Sequence, residues 1–199
     1  PVSSGSGSIT VTKDQFIQAW TQSKQYLPDA NVPSPTDAQF QAFIKNAGKD
    51  GGITSNTELA MFMAEIMWES GGLYYKSELA CKDNNCAGSY QDTTGLPGKF
   101  YFGRGYIQLT WGANYAGASK DLFQDDRLLQ NPEQVATNED YAWGVSFWFW
   151  KKNVKPVLKD TFQFGLATKA INGALECSSA TPNDKAQKRY KIYVEILKV

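Results

Sequence analysis

The run Ser55-Asn56-Thr57-Glu58-Leu59-Ala60-Met61-Phe62-Met63-Ala64-Glu65-Ile66-Met67-Trp68-Glu69-Ser70-Gly71-Gly72 decides how the rest of the chain is read. Ser55 and Glu58 stand at the spacing of a capping box, which satisfies the first free N–H groups of a helix. Leu59, Phe62, Met63, Ile66 and Met67 then repeat as one apolar stripe, and Gly71-Gly72 breaks the helix. At about 100° per residue, Glu69 lies roughly 20° from Phe62 on the helical wheel. It therefore sits at the edge of the buried face and close to the helix end. A carboxyl pressed against apolar side chains resists ionisation and can keep a proton to donate. Glu65, on the more polar flank, reads as a solvated surface charge.

Working outward, the chain is a series of helices. Residues 12–25 carry Phe16, Ile17 and Trp20 at helical spacing, with Leu27 nearby. Ser34-Pro35-Thr36-Asp37 starts a second helix, with Phe40, Phe43 and Ile44 apolar and Gly48 as its stop. Residues 81–99 read as a long surface loop, and 100–117 as irregular structure leading into a helix near Tyr115. Asn138 to Lys152 is a tryptophan-rich helix and the spine of the core, and its Phe147-Trp148-Phe149-Trp150 cluster reads as core rather than ligand site. Phe162 to Ala170 and Lys185 to Lys198 are further helices, with Ile171-Asn172-Gly173 a break between them. The nearest approach to strand is a short stretch at Tyr74–Lys76 or Ile107–Leu109. The fold class is mainly α.

Composition narrows the function. The 199 residues are 42% hydrophobic and 20% charged, ordinary usage for one folded domain with its own core. Lysine plus arginine equals aspartate plus glutamate, which removes the electrostatic footprint of a nucleic-acid binder. The longest apolar run, Tyr141 to Trp150, is too short to span a bilayer, so no membrane partner is expected. The opening, Pro1 to Ser8, is rich in serine and glycine and reads as a flexible linker before a single domain at 9–199. We read it as the end left by a removed secretory leader, or as a link to another module, and expect a secreted protein. Cys81 and Cys86 can close a small loop, stabilising by about 2 kcal/mol. The same spacing permits a zinc half-site, but no histidine exists in the chain and only Cys177 could join it, so no metal or other cofactor is expected. The lack of histidine also removes Ser-His and Cys-His nucleophiles and leaves catalysis to carboxylates.

Glu69 and Glu78 are nine positions apart with a double glycine between them. The chain must turn there, so the two acids can face each other across a groove. Such a pair is the minimal kit for glycoside hydrolysis: one carboxyl protonates the leaving oxygen and the other activates water. Gln108, Thr110, Asn114 and Asn172 are amide and hydroxyl groups beside glycines, suited to sugar hydroxyls and N-acetyl groups. Tyr101, Phe102, Tyr106, Trp111 and Tyr115 supply rings on which pyranoses can stack.

Five ordered blocks then resemble the catalytic domain of family 19 glycoside hydrolases, the endochitinases and related endolysins. AEIMWESGG at 64–72 is similar to the family's helix ending in His-Glu-(Ser/Thr)-Gly-Gly, and FYFGRGYIQLTWGANY at 100–115 to its YYGRGPIQLSxNxNY segment. LQNPEQVATN at 129–138, SFWFW at 146–150 and INGALEC at 171–177 match the succeeding blocks. The resemblance covers most of residues 55–197.

The resemblance implies a lysozyme-like, bilobal, α-rich domain with a central cleft. It implies Glu69 as general acid, Glu78 as the carboxylate that activates water, and Thr110 as the hydroxyl that helps hold that water. Trp68, Tyr101, Gln108, Trp111, Asn114, Ile171 and Asn172 fall at substrate-groove positions. Trp68 replaces the family's histidine before the acid, Tyr106 replaces a proline, and Ala113 stands where an aromatic or polar residue often meets sugar. Cys177 matches a half-cystine whose partner is missing. Arg189 neighbours the family's C-terminal arginine without aligning with it. The implied activity is endo-hydrolysis, with inversion, of chitin or a related N-acetylglucosamine polymer by a monomer. A lysozyme-like muramidase acting on peptidoglycan, or a catalytically weak sugar-binding protein, are the alternatives.

Overall fold

The computed structural model describes residues 10–49, 52–159, 161–177 and 183–199. The expected linker at 1–8 lies outside them. Ten α-helices make up most of the described chain: α1 Lys13–Ser23, α2 Asp37–Lys49, α3 Asn56–Glu69, α4 Gly112–Phe123, α5 Arg127–Gln130, α6 Gln134–Thr137, α7 Glu139–Phe149, α8 Lys155–Leu158, α9 Phe164–Glu176 and α10 Asp184–Ile196. A wider π-turn, Trp150–Val154, carries α7 into α8. The short helices α5, α6 and α8 were not anticipated, because four residues are too few to show a period.

Local rules account for where the long helices begin. Thr12 and Gln15 form a complete capping box at α1, the Gln15 side chain accepting from the Thr12 N–H. At α3 only half of the expected box exists. Ser55 accepts from the Glu58 N–H (3.1 Å), but the Glu58 carboxylate turns into the core, where the Trp150 indole donates to it (3.1 Å).

The core is aromatic. Phe62 of α3 stacks on Phe147 of α7 at 4.4 Å between centroids, and Phe43 of α2 meets Trp143 of α7 edge-on at 5.1 Å. Offset and edge-to-face contacts of this kind add about 0.5–1.5 kcal/mol each beyond the area they bury. α3 lies between this aromatic layer and α10, so its last turn is flanked by α9 and α10.

Instead of strands, isolated antiparallel bridges join Ser77 to Arg104 and Arg104 to Leu109. They tie the segment after α3 to the glycine-hinged segment before α4. α9 also runs on through the expected break. Asn172 bends it with non-helical φ −143° and ψ 33°, and the helix continues to Glu176.

Candidate active site

Glu69 is the last residue of α3, and the chain leaves the helix in left-handed conformations at Gly71 (φ 56°), Gly72 (φ 78°) and Leu73 (φ 66°). Gly72 is required for packing as well as for its φ. A Cβ there would lie 2.6 Å from Leu27, and its carbonyl accepts from the Trp20 indole at 3.0 Å. This sharp exit fixes Glu69 at the helix end with its side chain 17% exposed.

Around Glu69 the structure assembles a charge cluster. Arg189 of α10 is buried and directs its guanidinium at three carboxylates. Its Nη2 donates to Glu69 Oε1 and to Glu176 Oε1 (2.8 Å), its Nε to Glu176 Oε2 (2.9 Å), and its Nη1 to Glu65 Oε2 (2.6 Å). Asn172 Nδ2 donates to Glu176 Oε1 at 2.8 Å, and the Thr168 hydroxyl to Glu65 Oε1 at 2.6 Å. The Trp68 ring covers the guanidinium from 5.7 Å.

Burial pushes the Glu69 carboxyl above the ordinary glutamate range, against the opposing charge of Arg189. Burial likewise pushes Glu65 up, to about 7. Glu176 goes the other way: burial raises it, but the hydrogen bonds and charge of Arg189 and the Asn172 amide outweigh this and hold it low.

Glu78 is built differently. It is half-buried, in the bridged segment that follows the turn. Its own N–H donates to the Gly103 carbonyl (2.8 Å), the Gly103 N–H donates to its Oε2 (3.0 Å), and the Tyr90 hydroxyl to its Oε1 (3.0 Å). A Cβ at Gly103 would press on Gln108 Oε1 at 2.9 Å and Glu78 Oε2 at 3.2 Å, so a larger residue there would have to move both side chains. Three residues beyond Glu78, Cys81 is joined to Cys86 in the disulfide expected from their spacing. With both sulfurs in that bond, no thiolate is left there for a zinc half-site.

Several expectations need correction. Glu65 is fully buried, because α10 and α9 cover the flank of α3 that looked polar in isolation. Of the five rings offered for stacking, Tyr101, Phe102, Tyr106 and Tyr115 are buried and only Trp111 is open. Tyr101 is a strut: its hydroxyl donates to the Leu129 carbonyl (2.8 Å) and accepts from the Leu96 N–H (3.1 Å). One Asn172 amide hydrogen is taken by Glu176 Oε1 (2.8 Å), which ties the side chain into the charge cluster.

The remaining predicted groups are half-buried. Asn114 Nδ2 donates to the Thr110 carbonyl (2.8 Å), Gln108 Nε2 to the Gly105 carbonyl (3.0 Å), and Ile171 packs against the core. Sequence reasoning missed Glu176, Thr168 and Tyr90, and gave Arg189 only as a neighbour. Glu176 lies inside the INGALEC block, the one signal that could have found it.

A profile of the family described as chitinase class I, glycoside hydrolase 19, matches residues 37–163. An endochitinase of Arabidopsis thaliana is 38% identical over 161 residues, covering 79% of this chain and 54% of its own length. An acidic endochitinase of Beta vulgaris is 37% identical over 177 residues, covering 85% and 56%. The chain thus spans about half the length of the curated relatives it matches. Among solved structures, a class IV chitinase from Zea mays superposes with a TM-score of 0.70 at 26% identity, covering 94% of both chains. Chitinase C from Streptomyces griseus gives 0.70 at 26% identity, covering 92% of this chain and 76% of its own.

Proposed function

The chain belongs to the glycoside hydrolase 19 family, and from that membership we propose that it is an endo-acting chitinase that cleaves β-1,4 bonds between N-acetylglucosamine units with inversion. One observation carries the reading: two carboxylates close in sequence are held in opposite environments. Glu69 sits in a largely buried, charge-crowded place where burial pushes its carboxyl above the ordinary glutamate range, which suits the acid that protonates the leaving oxygen. Glu78 is half-exposed and oriented by a backbone N–H and a phenol, which suits a group that must reach and hold water.

In the proposed reaction the sugar chain lies between the two acids. Glu69 gives its proton to the glycosidic oxygen as that bond breaks. Water on the opposite face, held by the Thr110 hydroxyl, attacks the anomeric carbon and gives its proton to the Glu78 carboxylate. Arg189 stays protonated throughout and stabilises the Glu69 carboxylate that remains. Inversion needs room for that water, so the carboxyls are expected about 6.5–9.5 Å apart across the bound sugar. Trp111 offers the open stacking face, and Trp68, Gln108, Asn114 and Ile171 line the groove. We further propose that residues 9–199 form one catalytic domain that acts as a secreted monomer. No helix among the described residues is long and apolar enough to cross a membrane.

The test is product analysis on soluble chitin oligomers, chitosan and peptidoglycan, with the anomer read by NMR before mutarotation. Release of α-anomers from chitin oligomers is expected. Retained configuration would overturn the inverting assignment, release from peptidoglycan alone would favour the muramidase, and binding without release would make the protein a sugar-binding one.

A further inference from the structure

Glu65 is the group that the two-carboxylate reading does not use. It lies one helical turn before Glu69 on α3, so both carboxylates point along one face toward α10. The side chain is fully buried and fully engaged: Arg189 Nη1 donates to one oxygen and the Thr168 hydroxyl to the other, both at 2.6 Å. A glutamine could fill this place with its carbonyl accepting from Arg189 and its amide donating to the Thr168 oxygen. A carboxylate adds charge, and the charge changes the balance of the cluster.

Among the described residues, Arg189 is the one buried cation that faces Glu65, Glu69 and Glu176. Lys185, at the start of α10, acts on Glu69 and Glu176 but its side chain is exposed. α9 brings the neutral Thr168 and Asn172 together with Glu176, and α3 brings Glu69. If all three acids were ionised, two negative charges would be left uncompensated in a largely buried site, which is unfavourable. Such a cluster holds a proton, and acids coupled this closely titrate as a set.

We infer that Glu65 is a positioning residue: by sharing Arg189 with Glu69, it keeps the acid's proton in place up to neutral pH. Arg189 donates to both acids, whereas the Thr168 hydroxyl donates to Glu65 alone and favours charge there. In the state with one proton between the two acids, the charge therefore rests on Glu65 and the proton on Glu69. This rests on the reading of Glu69 as general acid.

The sign follows from the charges. Removing the negative charge at Glu65 leaves Arg189 to Glu69 and Glu176, so Glu69 loses its proton at lower pH. The basic limb of the kcat/KM profile on a soluble chitin oligomer should then move down by about one pH unit in Glu65→Gln. Activity should fall by up to about tenfold on the basic side of the profile and much less at pH 5, mainly in kcat with KM little changed. Thr168→Val, which removes only the hydroxyl that favours charge on Glu65, should move the limb the same way by less. It serves as the test if Glu65→Gln does not fold. A folded variant whose basic limb is unmoved, or whose activity drops equally at every pH alongside its melting temperature, would overturn the inference. Glu69→Gln run beside them separates the two ideas. If that variant turns over normally, the acid assignment fails whatever Glu65 does. If it is inactive and the Glu65→Gln limb does not shift, the acid assignment stands and the inference about Glu65 fails.

Discussion

The two carboxylates that face the proposed scissile bond are held by opposite kinds of structure. Glu69 stands at a helix end, against an arginine that three acids share and that the Trp68 ring covers. Glu78 stands on an irregular segment and takes its support from a backbone N–H, a tyrosine hydroxyl and a nearby disulfide. The difference tracks chemistry. An acid must hold a proton near neutral pH, which burial and neighbouring negative charge favour. A base must stay ionised and reach water, which partial exposure and neutral donors favour. One side is rigid through packing and the other through backbone hydrogen bonds, so each should break in its own way.

The largest effect should come from Glu69→Gln, which keeps the shape and removes the proton. Hydrolysis of chitin oligomers is expected to fall about 10²–10⁴-fold while the melting temperature holds or rises. A rise would itself be informative, because one acid leaves a cluster crowded with them. Near-normal turnover in the folded variant would remove Glu69 from the mechanism and with it the contrast between the two sides.

Arg189→Met should damage the same side through stability. It leaves three buried carboxylates without their cation, and breaking a buried pair in this way costs about 3–5 kcal/mol. The deficit should shrink as the pH is lowered toward the ordinary glutamate range, where the acids take up protons, and thermal melts at pH 5 and pH 8 would measure it. A loss equal at both pH values would show that Arg189 matters for packing and not for charge.

On the Glu78 side, activity should suffer more than stability. In Gly103→Ala the new Cβ would press on Glu78 Oε2 and Gln108 Oε1 and displace the base. A shift near 1 Å can cost about 10²-fold, so a loss of about 10–100-fold is expected with little change in melting. If melting falls while activity per folded molecule is kept, Gly103 supports the fold and not the base.

The smallest effect should be that of Tyr90→Phe, which removes one neutral donor from a half-exposed carboxylate and leaves the Gly103 N–H in place. A loss of about threefold in kcat, with no change in melting, is expected. A loss as large as that of Glu69→Gln would mean that Tyr90 takes part in the chemistry itself.

The sequence by itself settled whatever depends on neighbours within a turn or two. The stripe Leu59 to Met67 and the glycines after Glu69 placed one acid at a helix end. Ser55 marked a helix start, and the Cys81–Cys86 spacing marked a loop that closes. Each follows from short-range geometry, which the order of residues carries directly. Tertiary structure decided the rest. Glu65 looked solvated on an isolated wheel and is buried only because α9 and α10 lie over it. Four aromatic rings that looked available for sugar are core, because packing consumes ring faces and periodicity does not say which. Arg189 meets Glu69 across 120 positions of chain, and no local pattern announces a partner at that distance. The charge balance that sets the acid's proton therefore belongs to the fold. Coulomb interactions depend on separation and burial in space, and only the packed helices fix those.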